Sequence, residues 1–235
     1  MKLKNIVAVL AVVFMLASCT PAVTIAPTKT VVPTLTPVES VESLIEMIYV
    51  SDPTLPQYDP NAAAYSRFPE IVQQLGNMGI DGIDAASDLA GAIRFPRQDS
   101  YLAAQALLKM GAEITITTVP VLVENLHSPN PDTRIYSVIL LASVGKPSSC
   151  AIGKIAPLLW DSDAFVRASA ALAIEKITEQ DFVASEYKIQ ITPSFTPDMM
   201  IPDTPEGKVV EKARNWWDEQ GSKVNWHSTY GTCDP

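Results

Sequence analysis

Few residues in this chain have the types and spacing that catalysis or metal binding requires. There are two histidines, His127 and His227. His127 falls where a turn between two helices is expected and reads as a solvated loop residue. Cys150 has no histidine or second cysteine at the spacing of a zinc site. The run Gly145-Lys146-Pro147-Ser148 suggests a phosphate loop only superficially, because the upstream glycine is missing and Pro147 removes a backbone N–H that a phosphate would need. No Gly-x-Ser-x-Gly elbow is present. Asp81, Asp84 and Asp88 gather at the start of a predicted helix; a cation site is one reading, but the helix dipole alone favours acids there. Glu206, Glu211, Asp218 and Glu219 read as the solvated face of another helix. The expectation is therefore a protein with no catalytic, cofactor-binding or metal residues, which is not an enzyme.

One cysteine does carry a recognisable chemistry. Lys2 and Lys4 precede an apolar run from Ile6 to Ala17. That run is shorter than the roughly 20 residues a membrane-spanning helix needs, and it has the dimensions of a signal-peptide core. It ends in Leu16-Ala17-Ser18-Cys19, which resembles the lipobox of bacterial lipoproteins. The resemblance implies that residues 1–18 are a signal peptide removed before Cys19, and that the Cys19 thiol is lipidated. An ordinary secretory signal followed by a chance cysteine is the alternative. Two or three acyl chains suffice for stable anchoring. The chain is thus expected outside the cytoplasm, lipid-anchored at the cell membrane or the outer membrane; Thr20 leaves the choice open. Residues 19–39 form a tether rich in proline and threonine, with Pro21, Pro27, Pro33 and Pro37. Extended polyproline-like chain rises about 3.1 Å per residue, so the tether spans roughly 50–60 Å.

Removal of residues 1–18 takes away Lys2 and Lys4 and no acid, which moves the formal charge from −9 to −11. This argues against nucleic acid as a partner and against electrostatic docking on anionic lipid. Cys150 and Cys233 remain besides Cys19. Outside the cytoplasm such a pair is either a disulfide or two inert thiols.

The elements that would position these residues come from a repeat with a period of 33 residues. Leu89, Leu122 and Ile155 share one column, and Ile93, Leu126 and Leu159 the next. Arg97, Asn130 and Asp163 follow, then Tyr101, Arg134 and Arg167. In the second halves Ala104, Ser137 and Ala170 form a column of small residues. Leu107, Leu140 and Ala173, then Leu108, Leu141 and Ile174, form larger ones; Val144 and Ile177 continue the pattern with Gly111 as the weak member. Spacings of three and four place these columns on one helical face. Each repeat reads as helix, turn, helix, with Pro96 and Pro129 in the turns.

Residues 159–174 look like a HEAT repeat, with Asp161 ending the first helix and Val166-Arg167 opening the second. In that family the aspartate and arginine make a polar ladder between repeats. Asp161 and Arg167 match; repeat two keeps Arg134 but has Ser128 and Thr133, and repeat one has Phe95 and Tyr101. The resemblance implies an all-α fold: a short right-handed α-solenoid of HEAT-like helix pairs with a C-terminal capping helix. Its expected extent is 40–182, with a degenerate first repeat at 40–79 and repeats at about 80–112, 113–145 and 146–178. Residues 183–235 supply the cap, with an extended segment from Tyr187 to Thr192 and a helix over 205–220 that carries Val209, Val210, Ala213, Trp216 and Trp217 at helical spacing. Between the two helices of the first repeat lies a proline-rich insertion, with Tyr49 and Tyr58 as a candidate contact surface. The implied function is a membrane-anchored interaction or scaffolding module for an unknown protein or peptide, with no cofactor. An envelope structural element without a discrete ligand is the alternative. Some HEAT-like proteins resemble bilin lyases, but export and the lack of an evident nucleophile or base set that activity aside.

Overall fold

The computed structural model describes residues 39–51, 67–95, 97–182, 206–226 and Cys233, within a compact unit that begins at Glu39. The signal peptide, Cys19, the tether up to Val38, Tyr58 with the prolines around it, Pro96, the segment 183–205 and His227 lie outside the described residues.

Among the described residues every regular element is helical. The α-helices are α1 (Val41–Ser51), α2 (Phe68–Met78), α3 (Ala86–Ala92), α4 (Arg97–Met110), α5 (Ala112–Thr115), α6 (Val119–Asn125), α7 (Pro131–Val144), α8 (Ile152–Ile155), α9 (Ala164–Thr178) and α10 (Glu206–Glu219). The second helices of the repeats follow one another in space: α2 packs on α4, α4 on α7, α7 on α9, and α9 on α10. Their apolar columns are inside. Leu89, Leu122 and Ile155 are fully buried, as are Ile93 and Leu159, and the small residues Ala104, Ser137 and Ala170 are buried too.

The first half of each repeat departs from the simple helix expected. It is a chain of short α and 3-10 segments: Gly79–Ala85 then α3; α5, Ile116–Thr118, then α6; and Lys146–Ala151, α8, then Ala156–Trp160. Prolines explain the breaks in the later repeats. Pro120 and Pro157 stand at the first turns of α6 and of the last 3-10 segment, where a residue without an N–H starts a segment but cannot continue one. In the earliest repeat Gly82 sets the path. A Cβ there would lie 3.1 Å from the Leu75 carbonyl oxygen and 3.3 Å from the Met110 side chain.

Helix starts and stops also repeat. Asn130 accepts a hydrogen bond from the Asp132 N–H (3.0 Å), and Asp163 accepts from Phe165 and Val166 (2.9 and 3.1 Å). This column is an N-cap, the position where Asn and Asp satisfy the otherwise unpaired first N–H groups. At the other end, α2, α4 and α7 stop at Gly79, Gly111 and Gly145, with φ of 56°, 104° and 71°. Gly111 therefore serves as a helix stop, and its weak place in the apolar column follows from that duty. The corresponding residue after α9 is Glu179, which is also left-handed at φ 59°.

The cap docks through Val210, Ala213 and Trp216, all buried. Arg214 donates to the Leu159 carbonyl (2.6 Å from Nη2) and lies 5.4 Å from the Trp160 ring centroid, while Lys212 donates to the Phe182 carbonyl (3.0 Å). A C-terminal tie is covalent: Cys150 and Cys233 form a disulfide with Cα atoms 5.6 Å apart, which resolves the choice that composition left open.

Candidate functional site

Of the polar residues expected to form a ladder between repeats, Asp161 and Arg134 meet. Asp161 joins Arg134 of the preceding repeat, at 2.8 Å between Oδ1 and Nη2, with both side chains about nine-tenths buried. Arg134 Nη1 also donates to the carbonyls of Ser128 and Pro129 (2.8 and 3.2 Å). One period later, Arg167 Nη1 donates to the carbonyls of Asp161 and Ser162 (2.9 and 3.1 Å). Each arginine thus closes its own turn, and Arg134 also makes an ion pair across repeats. Two further cross-repeat bonds come from residues without a ladder motif: Asn125 donates to the Ala90 carbonyl (3.0 Å) and Thr133 to the Ile93 carbonyl (3.2 Å). A buried asparagine in the otherwise apolar run before His127 is the signal that could have flagged the first. These bonds hold the frame.

Tyr49 is exposed and hydrogen-bonds to the Asp88 carboxylate, whose bond and charge together hold the phenol above its ordinary pKa. Asp88 is thereby engaged with the first repeat, while Asp81 and Asp84 are exposed. Among the described residues no three metal-ligating side chains come together. His127 is exposed in the turn after α6. Among the described residues no helix is long and apolar enough to cross a membrane.

A groove of 540 Å³ lies between α2 and α4. Its floor is Val72, Gly76, Leu102 and Ala106; Gln73 and Gln105 line it, with Glu70 and Lys109 carrying opposite charges. The helices meet closely under it, since a Cβ on Gly76 would stand 3.0 Å from the Ala106 Cα. Beside the groove, Arg67 grips both oxygens of Glu39 (2.9 and 3.1 Å) and reaches Glu70 (3.4 Å); these carboxylates hold its guanidinium above its ordinary pKa. Lys109 donates to the Asn77 side chain. The lining offers an apolar floor with amide, carboxylate and ammonium groups at its edges. This groove is not singled out by the sequence, where the candidate contact residues are Tyr49 and Tyr58, in a segment that also reads as a connecting loop. The trace left in the sequence is Gly76 in α2 and the small residues of α4, Ala103, Ala104 and Ala106.

No known protein family, curated protein or solved structure matches this chain.

Proposed function

We propose that this chain is a lipid-anchored, extracytoplasmic binding module, built as a short HEAT-like α-solenoid and tethered through Cys19. It grips a protein segment in the groove between α2 and α4. The groove carries the reading: an apolar floor of small residues, with glutamine side chains along it, fits an extended peptide that buries small apolar side chains while its backbone meets amides. The serial contact of α2, α4, α7, α9 and α10 supports a solenoid, in which each helix pair buries its apolar face against the next. The lipobox-like Leu16-Ala17-Ser18-Cys19 and the proline-rich tether support anchoring at a membrane.

Two measurements test the proposal. A photo-crosslinking residue at Gln73 should give one discrete adduct in intact envelopes, one at the exposed Lys154 should not, and reversal of charge by Glu70→Lys with Lys109→Glu should abolish the adduct while leaving the helical circular dichroism intact. Equal adducts from both positions would remove the groove from consideration. For the anchor, the wild-type chain should partition into detergent and Cys19→Ala into the aqueous phase.

A further inference from the structure

Two charged groups line the groove between α2 and α4 among the described residues, Glu70 and Lys109, and they mark its two ends. Glu70 stands in the first turn of α2. Lys109 comes from α4 and donates to the side-chain oxygen of Asn77, in the last turn of α2. Both charges persist in their surroundings. Arg67 lies between Glu70 (3.4 Å) and Glu39 (2.9 Å), and one guanidinium shared by two carboxylates leaves that end negative. Asn77 is neutral, so the Lys109 end stays positive. The groove is therefore polarised along its length, with the exposed Gln73 and the apolar floor of Val72, Gly76, Leu102 and Ala106 between the poles.

The separation of the poles selects a backbone conformation. Glu70 and Asn77 are seven residues apart on one helix, which at 1.5 Å per residue is about 10 Å. A partner that meets both poles needs two side chains on one side of its chain at that distance. In a β-strand, residues on one side are two or four apart, at about 7 or 13 Å, and neither spacing matches. A polyproline-II chain has three residues per turn and rises about 3.1 Å per residue, so residues three apart align at about 9 Å. An α-helix reaches the distance over seven residues, but its backbone groups are spent internally and would leave the Gln73 amide without a partner. Polyproline-II backbone has no internal hydrogen bonds, and its carbonyls are open to an amide donor.

We infer that the occupant of this groove is a polyproline-II segment with a basic and an acidic side chain three residues apart, among prolines and alanines. The basic side chain lies toward Glu70 and the acidic one toward Lys109. The inference rests on the reading of the groove as a peptide site and adds the partner's conformation and charge spacing.

The test is fluorescence anisotropy of end-blocked, fluorescein-labelled peptides of proline and alanine, titrated with the full chain in detergent. One carries Lys and Glu three residues apart. Others carry them two or four apart, or carry glutamine at both places. A helical alanine-rich peptide carries them seven apart. The three-residue spacing should bind about fivefold tighter than the two other extended spacings and the glutamine peptide, as two partly exposed ion pairs predict, and salt should erase the advantage. Glu70→Lys makes both poles positive and should shift preference to a peptide with Glu at both places. Lys109→Glu should shift it to one with Lys at both. Circular dichroism should show both variants folded. Equal binding of all the extended peptides overturns the charge spacing while leaving the groove as a peptide site. Binding of none, the glutamine peptide included, overturns both readings. Tighter binding of the helical peptide, or a dimer in sedimentation that Glu70→Lys dissociates, assigns the groove to a helix or to a second copy and overturns the inference.

Discussion

The contact between α2 and α4 and the contact between α7 and α9 join corresponding helices of successive repeats but are finished differently. At the first, Gly76 and Ala106 bring the helices together beneath an open groove, and the ion pairs of Arg67 with Glu39 and Glu70 are substantially exposed. At the second, the small residues Ser137 and Ala170 lie among full columns, Asp161 meets Arg134 out of water, and the disulfide follows close behind. The lesson is a division of labour. The C-terminal contact spends its polar groups on holding the repeats together, whereas the N-terminal one leaves its polar groups at the surface, where a partner can use them.

Breaking the disulfide should have the largest effect. It closes a loop of 83 residues, and the chain-entropy argument assigns about 4 kcal/mol to a loop of that length. Urea unfolding of Cys150→Ser with Cys233→Ser should show that loss, and a reductant should reproduce it in the wild type. Next, Arg134→Ala leaves Asp161 charged and nearly buried, which should cost about 3 kcal/mol. Arg67→Ala, which removes only exposed pairs, should leave the unfolding midpoint almost unchanged. Equal costs at the two arginines would erase the contrast. A smaller pair of changes tests the helix stops. Gly145 has φ 71° and open space where a Cβ would go, so Gly145→Ala should cost roughly 1–2 kcal/mol through backbone strain alone. Glu179→Gly should move stability the other way, by about 1 kcal/mol at most.

The smallest effect is a pH dependence at the N-terminal contact. Burial raises the Asp99 carboxyl above its ordinary pKa. A carboxyl raised in the folded state favours the fold in its protonated form. Its contribution is fully present below the unfolded value of about 3.9 and is lost as pH rises through the folded value. Asp99→Asn should therefore flatten stability between pH 4 and neutrality, by an amount thermal unfolding across that range would show. An unchanged pH profile would remove Asp99 from the account.

Some of this architecture was open to reading before any coordinates. The three- and four-residue spacing of Leu107, Leu140 and Ala173 with their neighbours marks a buried helical face, because periodicity is a local property of the chain. Val210, Ala213 and Trp216 follow the same rule in the cap. The broken first halves were harder to foresee: Pro120 and Pro157 look compatible with a helix at its first turn, and whether they start a helix or interrupt one depends on the segment before them. The groove was invisible because its floor is made of residues from two helices, each unremarkable in its own sequence.

The order of residues along the chain by itself determined the 33-residue period, the faces that turn inward and the shared column of Asn130 and Asp163. Only the tertiary structure decided that this column caps helices, that Asp161 meets Arg134, that Gly79, Gly111 and Gly145 end helices at positive φ, and that the Ser149 hydroxyl is buried with no partner among the described residues. The physical reason is the range of the interactions. A helical face needs only neighbours three and four residues away, while an ion pair between repeats, or a hydroxyl left unmatched, depends on the sideways offset of packed helices, to which local spacing is blind.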